Sequence, residues 1–244
     1  MSDTALRPRR VLKVVLVTLA VATLGLGAVA TISWCSVFGC TLFSEDFEPH
    51  GEEATRARAA ATPVVAGLAD RASVDGRVIG SGTVDGCRTG QNDWKRKDTY
   101  SHECEVAASR MVVLATDRAD VADGLTALDA TLRGLGCEPT TWGGLDRVRD
   151  EYWRGDNPNV QREGAAGLPS ARYDCPDEVT VEVAPTSTSD TGVSVEALAD
   201  GGIWLDDVLA DDWYAPEDLR SLRDSDAELA VVVTATKGYY RTRF

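Results

Sequence analysis

The sequence predicts an α+β fold, with a mainly antiparallel sheet and helices on one face, preceded by one N-terminal transmembrane helix. Residues 14–34 form an apolar stretch without an ionisable acid or base. After it, runs with strand-like alternation and runs with helical apolar spacing occur in turn, which favours an α+β domain. Four cysteines beyond residue 80 predict disulfides that stabilise this domain.

Residues 14–34 match a membrane span, because about 20 apolar residues at roughly 1.5 Å each cross a hydrocarbon core of about 30 Å. Basic residues precede the span and acidic residues follow it, so the C-terminal part is predicted to be extracytoplasmic. We therefore expect four segments: a cytoplasmic basic tail (1–13), a membrane anchor (14–34), a juxtamembrane stalk (35–62) and an extracytoplasmic domain (63–244).

Cleavage is the alternative to a retained anchor. Ala28-Val29-Ala30 has the small-x-small form that signal peptidases accept, and cleavage near Ala30 would give a secreted protein. The remaining terminus would be apolar, which favours the anchor. The Arg9-Arg10 pair also partly resembles a twin-arginine export motif, although Leu12 and Lys13 do not match its preferred order.

Composition indicates a bacterial source, and with it a bacterial cell envelope as the compartment. The net charge bears on whether the protein binds nucleic acid. Lysine is rare, at four residues, whereas Ala, Gly, Val, Asp and Arg abound, as in a high-GC bacterium such as an actinobacterium. Without residues 1–13, which hold four basic residues and Asp3, 21 basic and 38 acidic side chains remain, a net charge of about −17. This charge repels nucleic acid, so we expect no nucleic-acid partner.

Three disulfide pairings are open to the four exported cysteines. We favour Cys87 with Cys104 and Cys137 with Cys175, because each pair brackets a polar connection. A metal site is disfavoured, since no Cys-x-x-Cys occurs and His50 and His102 are the only histidines. For Cys35 and Cys40, a local bridge, a bridge between two protomers of a homodimer, and free thiols all remain open.

The first half of the domain is predicted from proline, glycine and apolar spacing. Residues 45–61 form a stalk or a loosely held helix, and Thr62-Pro63 begins a short helix. Residues 73–86 suit a strand with a turn at Gly80-Ser81-Gly82, and residues 104–116 have the clearest strand pattern. Asp117 then caps a helix, whose apolar face recurs at spacings of four, three and four: Val121, Leu125, Leu128 and Leu132.

The second half is predicted in the same way. Residues 145–153 form a short helix, 154–170 a long surface loop, and 173–184 one half-buried strand. Residues 195–209 are ambiguous. Ala215-Pro216 begins a helix. Residues 228–236 form a strand, which a turn at Lys237-Gly238 separates from an edge strand over 239–244.

One basic cluster in this acidic region is the predicted binding site. Between Cys87 and Cys104, a loop carries cationic, hydrogen-bonding and aromatic side chains next to His102. These groups suit an anionic or sugar-like ligand, and the alternative is a solvated hairpin tip. The predicted ligand-binding residues are Arg88, Gln91, Asn92, Trp94, Lys95, Arg96, Lys97 and Tyr100.

Catalytic motifs are missing from the sequence. It contains no Gly-x-Ser-x-Gly, Ser-x-x-Lys or His-Glu-x-x-His. Two acidic groups resemble hydrolase or calcium sites, although solvated surface is favoured for both. They are Asp146, Asp150 and Glu151 near Trp142 and Trp153, and the aspartates Asp206, Asp207, Asp211 and Asp212.

The sequence therefore favours a single-pass, membrane-anchored module that binds an envelope protein or wall component without catalysis, cofactor or metal. The alternative is a carboxylate-based hydrolase acting on envelope polysaccharide.

Overall fold

A computed structural model describes residues 47–91, 97–141, 143–186, 207–212 and 216–243. These residues belong to two compact units. The larger consists of Phe47–Thr89 and His102–Arg241, and the smaller includes Gly90–Ser101 and the residues from Thr242.

Helices and strands occur in mixed order along the described chain. The helices are α1 (Glu52–Ala72), α2 (Val121–Gly134), α3 (Leu145–Arg147, continued by a π-helical turn over Val148–Trp153), α4 (Pro158–Glu163) and α5 (Pro216–Arg223). The strands are β1 (Arg77–Thr89), β2 (His102–Ala115), β3 (Glu138–Pro139), β4 (Ala171–Cys175), β5 (Val179–Thr186), β6 (Asp207–Asp212) and β7 (Leu229–Thr242).

The seven strands form one sheet in the order β3-β4-β5-β7-β2-β1-β6. The β1–β2, β1–β6, β3–β4, β4–β5 and β5–β7 pairs are antiparallel. Between β2 and β7, Ser109 contacts Thr234 and the Ala115 carbonyl accepts from the Glu228 amide. Because residue numbers rise on one strand as they fall on the other, this central pair is also antiparallel. The predicted α+β class with a mainly antiparallel sheet is confirmed.

Side-chain alternation along β2 separates two apolar layers. Val112 belongs to the main core with Val106 and Ala108, whereas Val113 belongs with Met111 to a smaller cluster on the opposite face. Helices α1 and α2 pack on the main core, and α5 contributes the buried Leu222 to the smaller cluster. Helices therefore lie on both faces, and the prediction that they share one face is wrong for α5.

Helix α1 begins at Glu52, earlier than the predicted start at Pro63. Pro63 lies inside the helix and its side chain is exposed. Ala61, Val65 and Leu68 bury the opposite side. Packing on the sheet thus stabilises a helix that a proline would interrupt in isolation.

The predicted strand over 173–184 is two strands, β4 and β5. They are joined by Pro176–Glu178, where Asp177 and Glu178 have φ angles of 60° and 58°. Asp tolerates this left-handed region better than most residues do, which allows the tight reversal.

Two predicted turns are absent from the structure. The chain passes through Gly80-Ser81-Gly82 within β1, with an irregularity in the β1–β2 register between Val78 and Gly80. It also passes through Lys237-Gly238 within β7, which lies between β5 and β2 and is not an edge strand. In both places pairing with neighbouring strands outweighs the local preference of glycine for a turn.

The predicted loop over 154–170 contains helix α4. The Asn157 side chain accepts hydrogen bonds from the amides of Asn159 and Val160, and Pro158 occupies the first helical turn. Val160 and Leu168 are buried in the main core.

Several predicted elements agree with the structure. Strand β2 covers the predicted 104–116 except for its last residue, and the apolar face of α2 is buried at Val121, Leu125, Leu128 and Leu132. The helical segment over 145–153 and the helix starting at Pro216 are also present.

Both favoured disulfides are confirmed. Cys87 is bonded to Cys104 and Cys137 to Cys175. Cys87 and Cys104 are directly opposite in the β1–β2 register, and the Glu138–Asp174 register extends to the second pair. The first disulfide therefore joins two paired antiparallel strands, and the second joins the end of β4 to the residue immediately before β3.

Residues 14–34, Cys35 and Cys40 are outside the described residues. Among the residues that are described, no helix is long and apolar enough to cross a membrane.

Candidate functional site

The predicted binding loop follows β1 and precedes β2. At its base the Gly90 amide donates a hydrogen bond to the Ser101 carbonyl at 2.7 Å. A Cβ on residue 90 would be 2.0 Å from the carbonyl oxygen of Tyr100, so only glycine fits here. The two ends of the loop are consequently held side by side.

Two further hydrogen bonds join Gln91 to Asp98, one step farther into the loop. The Asp98 amide donates to the Gln91 carbonyl at 2.7 Å, and the Gln91 amide donates to Asp98 Oδ2 at 2.8 Å. Gln91 and Lys97 are exposed. Asn92, Trp94, Lys95 and Arg96 lie outside the described residues.

Tyr100 differs from its predicted role as a stacking group. Its side chain is only 7% exposed, and its backbone and ring edge lie against Gly90. Tyr100 thus packs the base of the loop and does not present its ring to solvent.

Arg88 is engaged within the sheet. It is directly opposite Glu103 in the β1–β2 register, and its Nη2 is 2.7 Å from Glu103 Oε2. Arg241 of β7 donates from Nε to the other oxygen, Oε1, at 3.1 Å. The buried Glu103 carboxylate is therefore held by two arginines.

Glu105 is the next residue on the same side of β2, and it is also buried. Arg88 Nη2 lies 3.6 Å from Glu105 Oε2, farther than from Glu103. We call Arg88, Glu103, Glu105 and Arg241 the Glu103 cluster.

The two carboxyl groups of this cluster have opposite pKa shifts. Burial alone would raise the pKa of Glu103, but the hydrogen bonds from Arg241 and Arg88 outweigh it and lower the pKa. Burial raises the pKa of Glu105, and the more distant Arg88 does not compensate. Glu103 is thus stabilised as a carboxylate, and Glu105 is biased towards the protonated acid.

Sequence reasoning did not identify Glu103, Glu105 or Arg241 as a cluster. The alternation in His102-Glu103-Cys104-Glu105 places both acids on one face of a strand. However, the position of β7 beside β2, which brings in Arg241, could not be found from the local pattern.

The acids near Trp153 are engaged in surface ion pairs. Asp146 pairs with Arg133 and Glu151 with Arg147. Asp150 pairs with Arg149, whose hydrogen bond lowers the pKa of Asp150. A lowered pKa is the opposite of what a proton-donating hydrolase acid requires. Trp142 lies outside the described residues.

Three of the aspartates near residue 210, Asp207, Asp211 and Asp212, lie on a strand. Residues 207–212 form strand β6, paired with β1, and Asp206 lies outside the described residues. In the described parts of the chain, no group of three or more His, Cys, Asp or Glu side chains is arranged to hold a metal ion.

No protein-family model, curated protein or solved structure matches this chain.

Proposed function

We propose that the protein is a non-catalytic binding or accessory module of a bacterial cell envelope, anchored by a single N-terminal span with its C-terminal domain outside the membrane. The ligand-binding element is the loop Gly90–Ser101, and its ligand is an envelope protein or wall component. A cleaved, secreted form is the alternative for localisation, and Cys35 or Cys40 could join two protomers.

The observation that carries this proposal is the closed base of the loop. Two backbone hydrogen bonds, Gly90 to Ser101 and Asp98 to Gln91, hold its two arms together. The Cys87–Cys104 disulfide separately links the strands from which the arms extend. Ordering the base in advance reduces the entropy lost when the loop binds a ligand.

The loop sequence supplies the chemistry. Lys95, Arg96 and Lys97 are consecutive cations in an exported region of strongly negative charge, and Trp94 adds an aromatic ring. Anionic groups and sugar rings are the ligands that such a combination favours.

Site-specific crosslinking in native membranes tests the proposal. A photo-reactive amino acid replaces Gln91 or Lys97, both exposed, and a control carries it at the exposed Glu217 of α5. We expect one discrete adduct from the loop positions and none from Glu217. Identical products from all three positions would contradict the proposal.

Removal of positive charge from the loop is the second test of the proposal. The variant K95A/R96A/K97A should lose most of the crosslinked product obtained through Gln91. The matched control R162A/R220A/R223A removes the same number of positive charges from exposed sites elsewhere, and it should still give the crosslinked product. Arg88 stays unchanged, because it neutralises buried Glu103 and its loss would confuse folding with binding.

The opposite pKa shifts in the Glu103 cluster favour a second candidate function, a carboxylate-based hydrolase acting on envelope polysaccharide. Such enzymes pair an ionised carboxylate with a protonated carboxylic acid. Glu103 would be the carboxylate and Glu105 the acid.

Release of soluble sugar from purified cell walls distinguishes the two candidates. If the protein hydrolyses its ligand, E105Q should lower the rate by about a hundredfold or more, whereas E217Q should not. No sugar release by the wild-type protein would leave the binding function alone.

A further inference from the structure

Ser101, at the base of the binding loop, is hydrogen-bonded to the end of β7. Its amide donates to the Thr242 carbonyl at 2.9 Å, while its carbonyl accepts from the Gly90 amide on the other arm of the loop. Its Oγ lies 2.8 Å from Thr242 Oγ1 and donates to the Arg243 carbonyl at 3.2 Å. All four residues belong to the smaller compact unit. We call Ser101, Thr242 and Arg243 the clamp.

The two hydroxyl groups of the clamp have one consistent arrangement of protons. A serine hydroxyl carries a single proton. Because Ser101 Oγ donates this proton to the Arg243 carbonyl, the contact with Thr242 uses the proton of Thr242. Thr242 therefore donates to Ser101. Removing the Thr242 hydroxyl breaks one hydrogen bond, whereas removing the Ser101 hydroxyl breaks two.

Both side chains are buried, with 1% exposure for Ser101 and 2% for Thr242. A polar atom that loses its partner in a buried place is not readily solvated, so the broken hydrogen bond costs more there than on the surface. The same burial keeps the two hydroxyl groups away from a ligand. Their effect on binding is therefore exerted through the conformation of the loop base.

We propose that Ser101 and Thr242 are positioning residues of the loop Gly90–Ser101, and that the order they impose on its base determines how tightly the loop binds. A ligand that binds only the ordered base has an apparent affinity reduced by the fraction of molecules in which the base is open. The clamp raises the ordered fraction without contacting the ligand. This inference rests on the proposed function, which assigns binding to that loop.

Hydrogen exchange of the full-length protein tests the positioning role without a ligand. The reporters are the Gly90 and Asp98 amides, which donate to the Ser101 and Gln91 carbonyls. T242V loses one hydrogen bond and should lower their protection by about tenfold, and S101A loses two and should lower it by about thirtyfold or more. T242S keeps the hydroxyl and should restore the protection of the wild type.

A second Ser–Thr pair between β2 and β7 supplies the matched control. Ser109 Oγ lies 2.8 Å from Thr234 Oγ1, and both residues belong to the larger unit. T234V removes this contact and should leave the protection of the two loop amides unchanged. The amides of Val181 and Val231, both in the core, report whether each variant is folded.

Binding is measured as the adduct formed in native membranes by a photo-reactive amino acid at Lys97. The yield should fall by about twofold or more in S101A, because fewer molecules have an ordered base. It should remain at the wild-type level in T242S and T234V. Rescue by T242S separates an effect of the hydroxyl from an effect of side-chain shape.

Unchanged loop protection in T242V and S101A would overturn the positioning role, and so would an equal fall in T234V. Lower loop protection with an unchanged adduct yield in S101A would overturn the link between loop order and binding. If S101A also loses protection in the core, T242V and T242S decide, and T242S must restore what T242V loses. The proposed function fails separately, in the wild type, if the loop and control positions give identical adducts.

Discussion

The Tyr173 hydroxyl donates a hydrogen bond to Asp129 Oδ1 at 2.6 Å in the interior between β4 and α2. The same oxygen accepts from the Leu145 amide at 2.7 Å, at the start of α3. Burial, followed by the hydrogen bond to Asp129, raises the pKa of Tyr173 well above its ordinary value. One hydroxyl thus links three elements of the main core.

Replacing Tyr173 by Phe should lower the free energy of unfolding by about 1–3 kcal/mol, because Asp129 loses a donor and the buried Leu145 amide loses its acceptor. Denaturant unfolding followed by circular dichroism measures the change. Y152F is the matched control, since Tyr152 makes no hydrogen bond through its side chain within the described residues. Equal effects of Y173F and Y152F would show that the hydroxyl contributes little.

The Tyr239 hydroxyl donates to Asp85 Oδ1 at 2.7 Å and accepts from Arg58 Nε at 3.2 Å. Burial, followed by the hydrogen bond to Asp85, raises the pKa of Tyr239 to about 12. The difference between ultraviolet titrations of the wild type and Y239F should isolate one tyrosine with this pKa. The D85N substitution should lower this pKa.

The sign of the linked stability change follows from the raised pKa. Between the ordinary tyrosine value of 10.0 and about 12, the folded protein retains a proton that the unfolded chain has lost. The free energy of unfolding should therefore fall as pH rises through this window, and less so in Y239F. A parallel fall in both proteins would rule out a contribution from Tyr239.

Glutamine in place of Glu103 or Glu105 should have opposite effects at neutral pH. E103Q leaves Arg88 and Arg241 without their buried carboxylate, so it should destabilise the protein by about 2 kcal/mol. Burial raises the pKa of Glu105, so ionisation of this carboxyl group at neutral pH costs free energy in the folded state. E105Q removes that cost and should stabilise the protein slightly.

The pH dependence separates the two residues. The pKa of Glu103 is lowered from 4.5, so its stabilisation is present above 4.5 and is lost as pH falls through the folded value. The pKa of Glu105 is raised, so stability falls as pH rises above 4.5 towards its folded value. Unfolding free energies of E103Q and E105Q, measured from acid to neutral pH, give both contributions. If the two substitutions changed the free energy of unfolding in the same direction, the opposite roles of Glu103 and Glu105 would be contradicted.

Removing each disulfide as a double alanine variant should give different losses. The sequence separations are 17 residues for Cys87–Cys104 and 38 for Cys137–Cys175. In the chain-entropy account these correspond to about 3 and about 4 kcal/mol. Denaturant midpoints compare them directly. A larger loss at Cys87–Cys104 would mean that native packing around the bridge outweighs loop entropy.

The candidate site was only partly predictable. The loop was identified from its cations between two cysteines, because composition and disulfide spacing are visible along the chain. Arg88 and Tyr100 were assigned to the ligand, whereas the structure gives Arg88 an ion pair with Glu103 and buries Tyr100 against Gly90. These partners depend on register and burial, which local composition does not specify.

The sequence by itself determined elements whose interactions are local. The apolar spacing from Val121 to Leu132 gives α2, and the apolar residues of 104–116 give most of β2, since helical and strand periodicities decide which residues share a face. Among three open disulfide pairings, the sequence favoured the observed one, because each pair of cysteines brackets a polar connection.

Only the tertiary structure decided whether glycine and proline interrupt an element. Pro63 remains inside α1, and Gly238 remains inside β7, because packing and strand pairing outweigh the local preference to break. The opposite protonation tendencies of Glu103 and Glu105 likewise depend on tertiary contacts. The pKa of a carboxyl group depends on whether water or an arginine lies beside it, and the strand order decides which distant residues come close to it.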